Sequence, residues 1–111
     1  MRNPNRQVRF EVERGKLVRH VTRPDGRGYT QRAALAVLEA VCRLLEARPQ
    51  DGATTTELWD ALPNLPATQI SVALDFLKER GCVVTRCRRN YPASNFMFED
   101  AMIEYHALAA T

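Results

Sequence analysis

The chain has 111 residues, 45% of them hydrophobic, which suits one domain with its own core and argues against a disordered chain. No apolar run approaches the roughly 20 residues that span a bilayer, and the charged start MRNPNRQVRF lacks the apolar segment of a secretory signal, so the expectation is a cytoplasmic chain with no membrane partner. The net charge of +3 is uneven: residues 1–32 hold nine Arg or Lys against three acids, residues 33–81 four against seven, and residues 82–111 three of each.

Positive charge therefore gathers on the N-terminal segment and on Arg86, Arg88 and Arg89. That asymmetry points to a polyanionic partner, with solubilising surface arginines as the alternative. Cys42, Cys82 and Cys87 are odd in number and form no CxxC pair. They read as reduced and mostly buried. His20 and His106 lie far in sequence from any cysteine, so neither a metal site nor any other cofactor is expected.

Met1 to Arg6 is polar and reads as loose. QVRFEVERGKLVRHV alternates, with Val8, Phe10 and Val12 on one side and Arg9, Glu11 and Glu13 on the other. Arg14-Gly15 fits a two-residue hairpin loop, which pairs Val12 with Leu17, Phe10 with Arg19 and Val8 with Val21. An isolated hairpin is marginal in water, so this one must rest on the helical part of the chain or on a second copy. TRPDGRGYTQR reads as a loop, made basic by Arg23, Arg27 and Arg32. It is either an arm that lies along phosphates or a solvated linker.

The first helix is expected over Thr30 to Arg48, capped by Thr30 and stopped by Pro49. Thr54 to Glu57 fits a capping box that opens a short helix ending near Leu62, with Leu58, Ala61 and Leu62 inward and Trp59 at the core's edge. Pro63-Asn64-Leu65-Pro66 forces a turn. A third helix spans about Ala67 to Arg80, with Ile70, Ala73, Leu74 and Leu77 as its core face and Gly81 as its stop. Cys82 to Arg88 reads as a strand, Asn90 to Asn95 as a loop and Phe96 to Phe98 as a short return strand. Glu99-Asp100 opens a last helix whose apolar face is Met102, Ile103, Tyr105, His106 and Leu108.

The capped helix TTTELWDAL, the turn into ATQISVALDFLKERG and the strand CVVTRCRR together resemble the winged helix-turn-helix regulators, particularly the MarR-like and ArsR-like groups, over about residues 30–98. The resemblance implies an α+β fold: a winged helix-turn-helix domain of three helices and a β-hairpin wing. Residues 29–111 would form that domain with its C-terminal helix, and residues 1–28 an N-terminal β-hairpin and basic loop packed on it or on a partner subunit. It also implies a DNA-binding transcriptional regulator. The third helix would enter the major groove with Thr68, Gln69 and Ser71 near base edges, and the wing, with Arg86, Arg88, Arg89 and Asn90, would lie on the backbone.

On a helical wheel the outer face of that third helix carries Thr68, Val72, Asp75 and Glu79, with Phe76 at its flank. Val72 and Phe76, apolar and one turn apart on that face, look like a contact surface to be covered by the N-terminal hairpin, by a second subunit or by another protein. The last gives the alternative: a winged-helix protein–protein interaction module without DNA. Candidate partners are double-stranded DNA, a second copy of the chain and another protein. An enzyme is not expected, because no Ser/His/Asp set, P-loop or Rossmann glycine run is present.

Overall fold

The structure, a computed structural model, describes residues 6–111. The expectation of a loose start falls mostly on residues 1–5, outside the described residues. The elements run β1 (Gln7–Glu13), β2 (Lys16–Thr22), β3 (Gly28–Ala34), α1 (Leu35–Glu46), β4 (Ala53–Thr54), α2 (Thr55–Ala61), α3 (Ala67–Glu79), β5 (Val83–Arg86), β6 (Arg89–Pro92) and α4 (Met97–Ala109). The class is α+β, with four helices and two antiparallel three-stranded sheets, ordered β1-β2-β3 and β4-β6-β5, among the described residues. No helix among the described residues is long and apolar enough to cross a membrane.

The first hairpin has the register its sequence dictates. Val12 pairs with Leu17, Phe10 with Arg19 and Val8 with Val21. Arg14 and Gly15 both take positive φ, 53° and 77°, the geometry whose twist matches the flanking strands of a two-residue loop.

The expected loop over Thr22 to Arg32 and the helix start at Thr30 are both corrected. Gly28 to Ala34 form β3, paired along its whole length with β2. Only Arg23 to Arg27 remain as the connecting turn, and Leu35 begins α1. Helix propensity loses here because GYTQRAA also alternates. Tyr29, Gln31 and Ala33 turn inward while Thr30 and Arg32 face solvent, and the free edge of β2 supplies a ladder of hydrogen bonds that a helix start could not match. β3 also crosses the expected boundary at residues 28/29. Phe10 and Leu17 of the hairpin belong to the same core as α1, α3 and α4.

The inner face of the β1-β2-β3 sheet lies against α3. Phe10 meets Phe76 edge-on, with ring centroids 5.5 Å apart. Gln69 Oε1 accepts a hydrogen bond from the Ala34 amide at 3.0 Å. Arg19, only 5% exposed, reaches from β2 to Asp75 at 2.5 Å and also donates to Gln31. Val72 and Phe76 are therefore fully buried, at 0% exposure. Their expected role as an exposed protein-interaction surface is corrected. The third strand and its hairpin cover them within the same chain.

α2 opens with the expected capping box. Thr54 Oγ1 accepts from the Glu57 amide at 3.1 Å, and Glu57 Oε1 accepts from the Thr54 amide at 3.0 Å. Leu58 is its buried residue, whereas Ala61 faces solvent. Ile70, Ala73, Leu74 and Leu77 of α3 enter the core as their spacing requires.

The second hairpin turns at Cys87-Arg88, and its return strand is Arg89 to Pro92, not Phe96 to Phe98. Phe96 is the N-cap of α4, which begins at Met97. α4 buries Met97, Ala101 and Tyr105 and packs Met102 and Leu108 against the core, while Ile103 and His106 face outward, which corrects those two positions of the expected apolar face. Glu46 of α1 accepts from the Phe98 amide at 2.9 Å, satisfying one donor of the α4 start. The Tyr105 hydroxyl donates to the Gly15 carbonyl at 2.7 Å, tying α4 to the first hairpin. Burial pushes the Tyr105 phenol above its ordinary value.

Cys42 and Cys82 are buried, and burial pushes their thiols up to about 12 and about 11. The thiolate is the reactive form, so neither should react in the folded protein. Cys87 is exposed at a turn. A maleimide should label one thiol per chain without denaturant and three in guanidinium, as read by intact-mass spectrometry. Rapid labelling of two or three thiols under native conditions would contradict this packing.

Candidate nucleic-acid interface

The β4-β6-β5 sheet positions the basic hairpin. β6 lies between its neighbours, Asn90 pairs with both Ala53 and Thr85, and Arg89 pairs with both Thr54 and Arg86. Asn90 is 1% exposed. Its amide donates to the Ala53 carbonyl at 2.9 Å, and its side-chain oxygen accepts from Thr85 Oγ1 at 2.9 Å. That side chain locks the hairpin to β4 and cannot meet a phosphate, which corrects its place among the expected DNA contacts. Gly52 makes the same junction possible. It has positive φ, and an added Cβ would sit 2.4 Å from the Asn90 carbonyl oxygen.

Arg89 is also engaged within the chain. Its Nη2 meets Glu57 Oε1 at 2.9 Å and its Nε donates to the Asp51 carbonyl at 2.9 Å. The bond from the Thr54 amide, and then Arg89, hold the Glu57 carboxyl below the ordinary carboxylate range. Arg89 thus fastens the hairpin to the start of α2.

Arg86 and Arg88 differ. Both are exposed, and among the described residues neither has an acidic partner within ion-pair distance. Arg86 lies over the Tyr91 ring at 4.7 Å, which presents the guanidinium beside a flat aromatic surface. Cys87 and Arg88 take φ of 50° and 68°, so the tip turns sharply with an arginine at its apex.

On α3 the expected trio divides. Thr68 is exposed and Ser71 half-buried, both on the side away from the core. Gln69 is held by the Ala34 amide, so its side chain serves the β3–α3 junction. The open face of α3 also carries Ala67, Asp75, Lys78 and Glu79, with Asp75 neutralised by Arg19. Lys78 adds a cation one heptad beyond Ser71, a spacing visible in the sequence but absent from the expected site.

The basic N-terminal segment is largely occupied. Arg27 lies 3.9 Å from Asp25 and Arg32 3.7 Å from Glu13. Arg23 stacks over Tyr29 at 5.3 Å, and Arg6 donates to the Tyr29 hydroxyl at 3.1 Å. Arg14 and Lys16, at the first hairpin turn, are exposed without an acidic partner among the described residues. Comparison with protein-family models, with curated proteins and with solved structures finds no match for this chain.

Proposed function

We propose that α1 to β6 form a winged helix-turn-helix unit and that it binds duplex DNA as a transcriptional regulator. The element order α1-β4-α2-α3-β5-β6, with β6 central in its sheet, supports the fold reading. The observation that carries the functional reading is the tip of the β5–β6 hairpin. Arg86 and Arg88 project there without acidic partners among the described residues, while Arg89 and Asn90 fix the hairpin from behind. In this reading the arginines lie on phosphates and give affinity, and Thr68 and Ser71 of α3 approach base edges. The buried state of Val72 and Phe76 removes the feature that favoured a protein-only module.

The test is fluorescence anisotropy of a labelled random-sequence duplex across a salt series. Binding should fall linearly on a log–log plot, because each neutralised phosphate releases counterions. The Arg86→Ala/Arg88→Ala variant should flatten that slope by roughly 2, at about 0.9 for each phosphate it leaves unneutralised. Unchanged affinity and slope in a folded double variant, or no binding by the wild type at low salt, would overturn the reading.

A further inference from the structure

β1 is an edge strand of seven residues, and β2 occupies only one of its sides. Its pairing runs unbroken from Gln7–Thr22 to Glu13–Lys16, with no bulge and no proline. Natural sheets usually blunt such an edge with one of these devices or cover it. Here Val8, on the inner face at the far end of β1, stays 42% exposed. Helices pack against both outer strands, α4 on β1 and α3 on β3, but only at β3 does a side chain of the packing helix bind the strand's backbone, Gln69 accepting from the Ala34 amide.

Backbone parity fixes what the open edge can offer. Glu13 and Lys16 flank the two-residue loop and form a hydrogen-bonded pair, so Gln7, Arg9, Glu11 and Glu13 direct their backbone groups to β2. Val8, Phe10 and Val12 direct theirs outward. Among the described residues no backbone group outside the sheet bonds to those three backbones.

We propose that this edge pairs antiparallel with β1 of a second copy, about a two-fold axis at Phe10, to give a continuous six-stranded sheet. Each β1 strand has three outward-facing residues, and this register pairs all of them: Val8 with Val12, Phe10 with Phe10 and Val12 with Val8. The same register sets Arg9 opposite Glu11 twice, extending the Arg9–Glu11 ion pair of 3.0 Å within each strand into a ladder of four charges. Sliding by two residues one way places Arg9 against Arg9, and sliding the other way places Glu11 against Glu11. The charge pattern therefore selects one register, and the exposed Val8 gains the partly buried Val12 of the second copy as its neighbour. This pairing is independent of the DNA reading.

Light scattering coupled to size exclusion on the full chain, over a series up to about 1 mM, should show a monomer–dimer equilibrium. Hydrogen exchange should show the Val8, Phe10 and Val12 amides protected in the dimer. Val8→Pro removes an outward N–H without touching the β1–β2 ladder, and by symmetry removes it twice. It should raise Kd about 30-fold, or about 2 kcal/mol. Arg9→Glu should raise Kd roughly tenfold by opposing like charges, and the swap Arg9→Glu/Glu11→Arg should restore it. If Val8→Pro fails to fold, the charge swap alone carries the test. A wild type that stays monomeric, a dimer unaffected in the folded variants, or a swap that fails to restore association would each overturn the proposal.

Discussion

Phe76→Ala is expected to cost about 4 kcal/mol and to lower the melting temperature by roughly 10–20 °C. The reason lies in where the ring sits. Phe76 is the largest fully buried side chain among the described residues. It fills the seam between α3 and the N-terminal sheet, edge-on to Phe10 at an interplanar angle of 71°, with the Arg80 guanidinium 5.5 Å from its centre. Truncation removes the ring's transfer energy and leaves a cavity that strands and helix cannot both collapse into. Urea unfolding would measure it. Phe10→Ala should also destabilise, and because the two rings touch, the double variant should lose less than the sum of the two single losses. A loss under about 1 kcal/mol for Phe76→Ala, or strict additivity with Phe10→Ala, would mean that the sheet does not rest on α3 as described.

The Arg19–Asp75 pair should give an asymmetric pattern. Arg19 is almost wholly buried, whereas the Asp75 side chain keeps 39% of its exposure, so the arginine carries most of the desolvation cost. Asp75→Ala leaves a buried guanidinium whose remaining partner is the neutral Gln31. It is expected to cost about 2 kcal/mol, below the range for fully buried pairs because the carboxylate is partly solvated. Arg19→Met replaces the charge with an apolar chain of similar reach and should cost less. The double variant Arg19→Met/Asp75→Ala should therefore be more stable than Asp75→Ala alone. Denaturant unfolding of the three variants reads this directly. A double variant that shows the sum of the two single losses would contradict a pair held by buried charge.

These two seams also explain what could be read from the sequence. The first hairpin was legible to the residue because Arg14-Gly15 is turn chemistry and the flanking residues alternate strictly. The capping box was legible because Thr54 and Glu57 satisfy each other within one turn. β3 was not, because TQRAALAVLEAV reads as helix when taken alone. Only the unpaired edge of β2, a tertiary feature, makes a strand of Thr30 to Ala34. Two site errors follow from that one omission. Without a third strand the first hairpin has no fixed seat on α3, so the cover over Val72 and Phe76 stays open among several choices, and Gln69 has no amide to hold.

The hairpin tip misled for a different reason. Asn90 to Asn95 contains the residues that usually make turns, whereas the actual turn residues, Cys87 and Arg88, are unusual at positive φ. The turn is set instead by the pairing of β6 with β4 through Asn90. Misplacing it by a few residues moved Arg89 and Asn90 from the supporting structure to the expected contact surface. Arg86 and Arg88 kept their expected exposure because they flank Cys87 on either reading.

The most direct test of the central claim, that the hairpin tip and the open face of α3 meet duplex DNA, is an amide chemical-shift titration of the ¹⁵N-labelled protein with a short duplex. The expected result is saturable movement at Thr68, Ser71 and Arg86 to Arg88, with Gln69, Val72 and Phe76 little changed beneath the N-terminal sheet. Movement confined to β1, β2 and β3, or none at low salt, would contradict it.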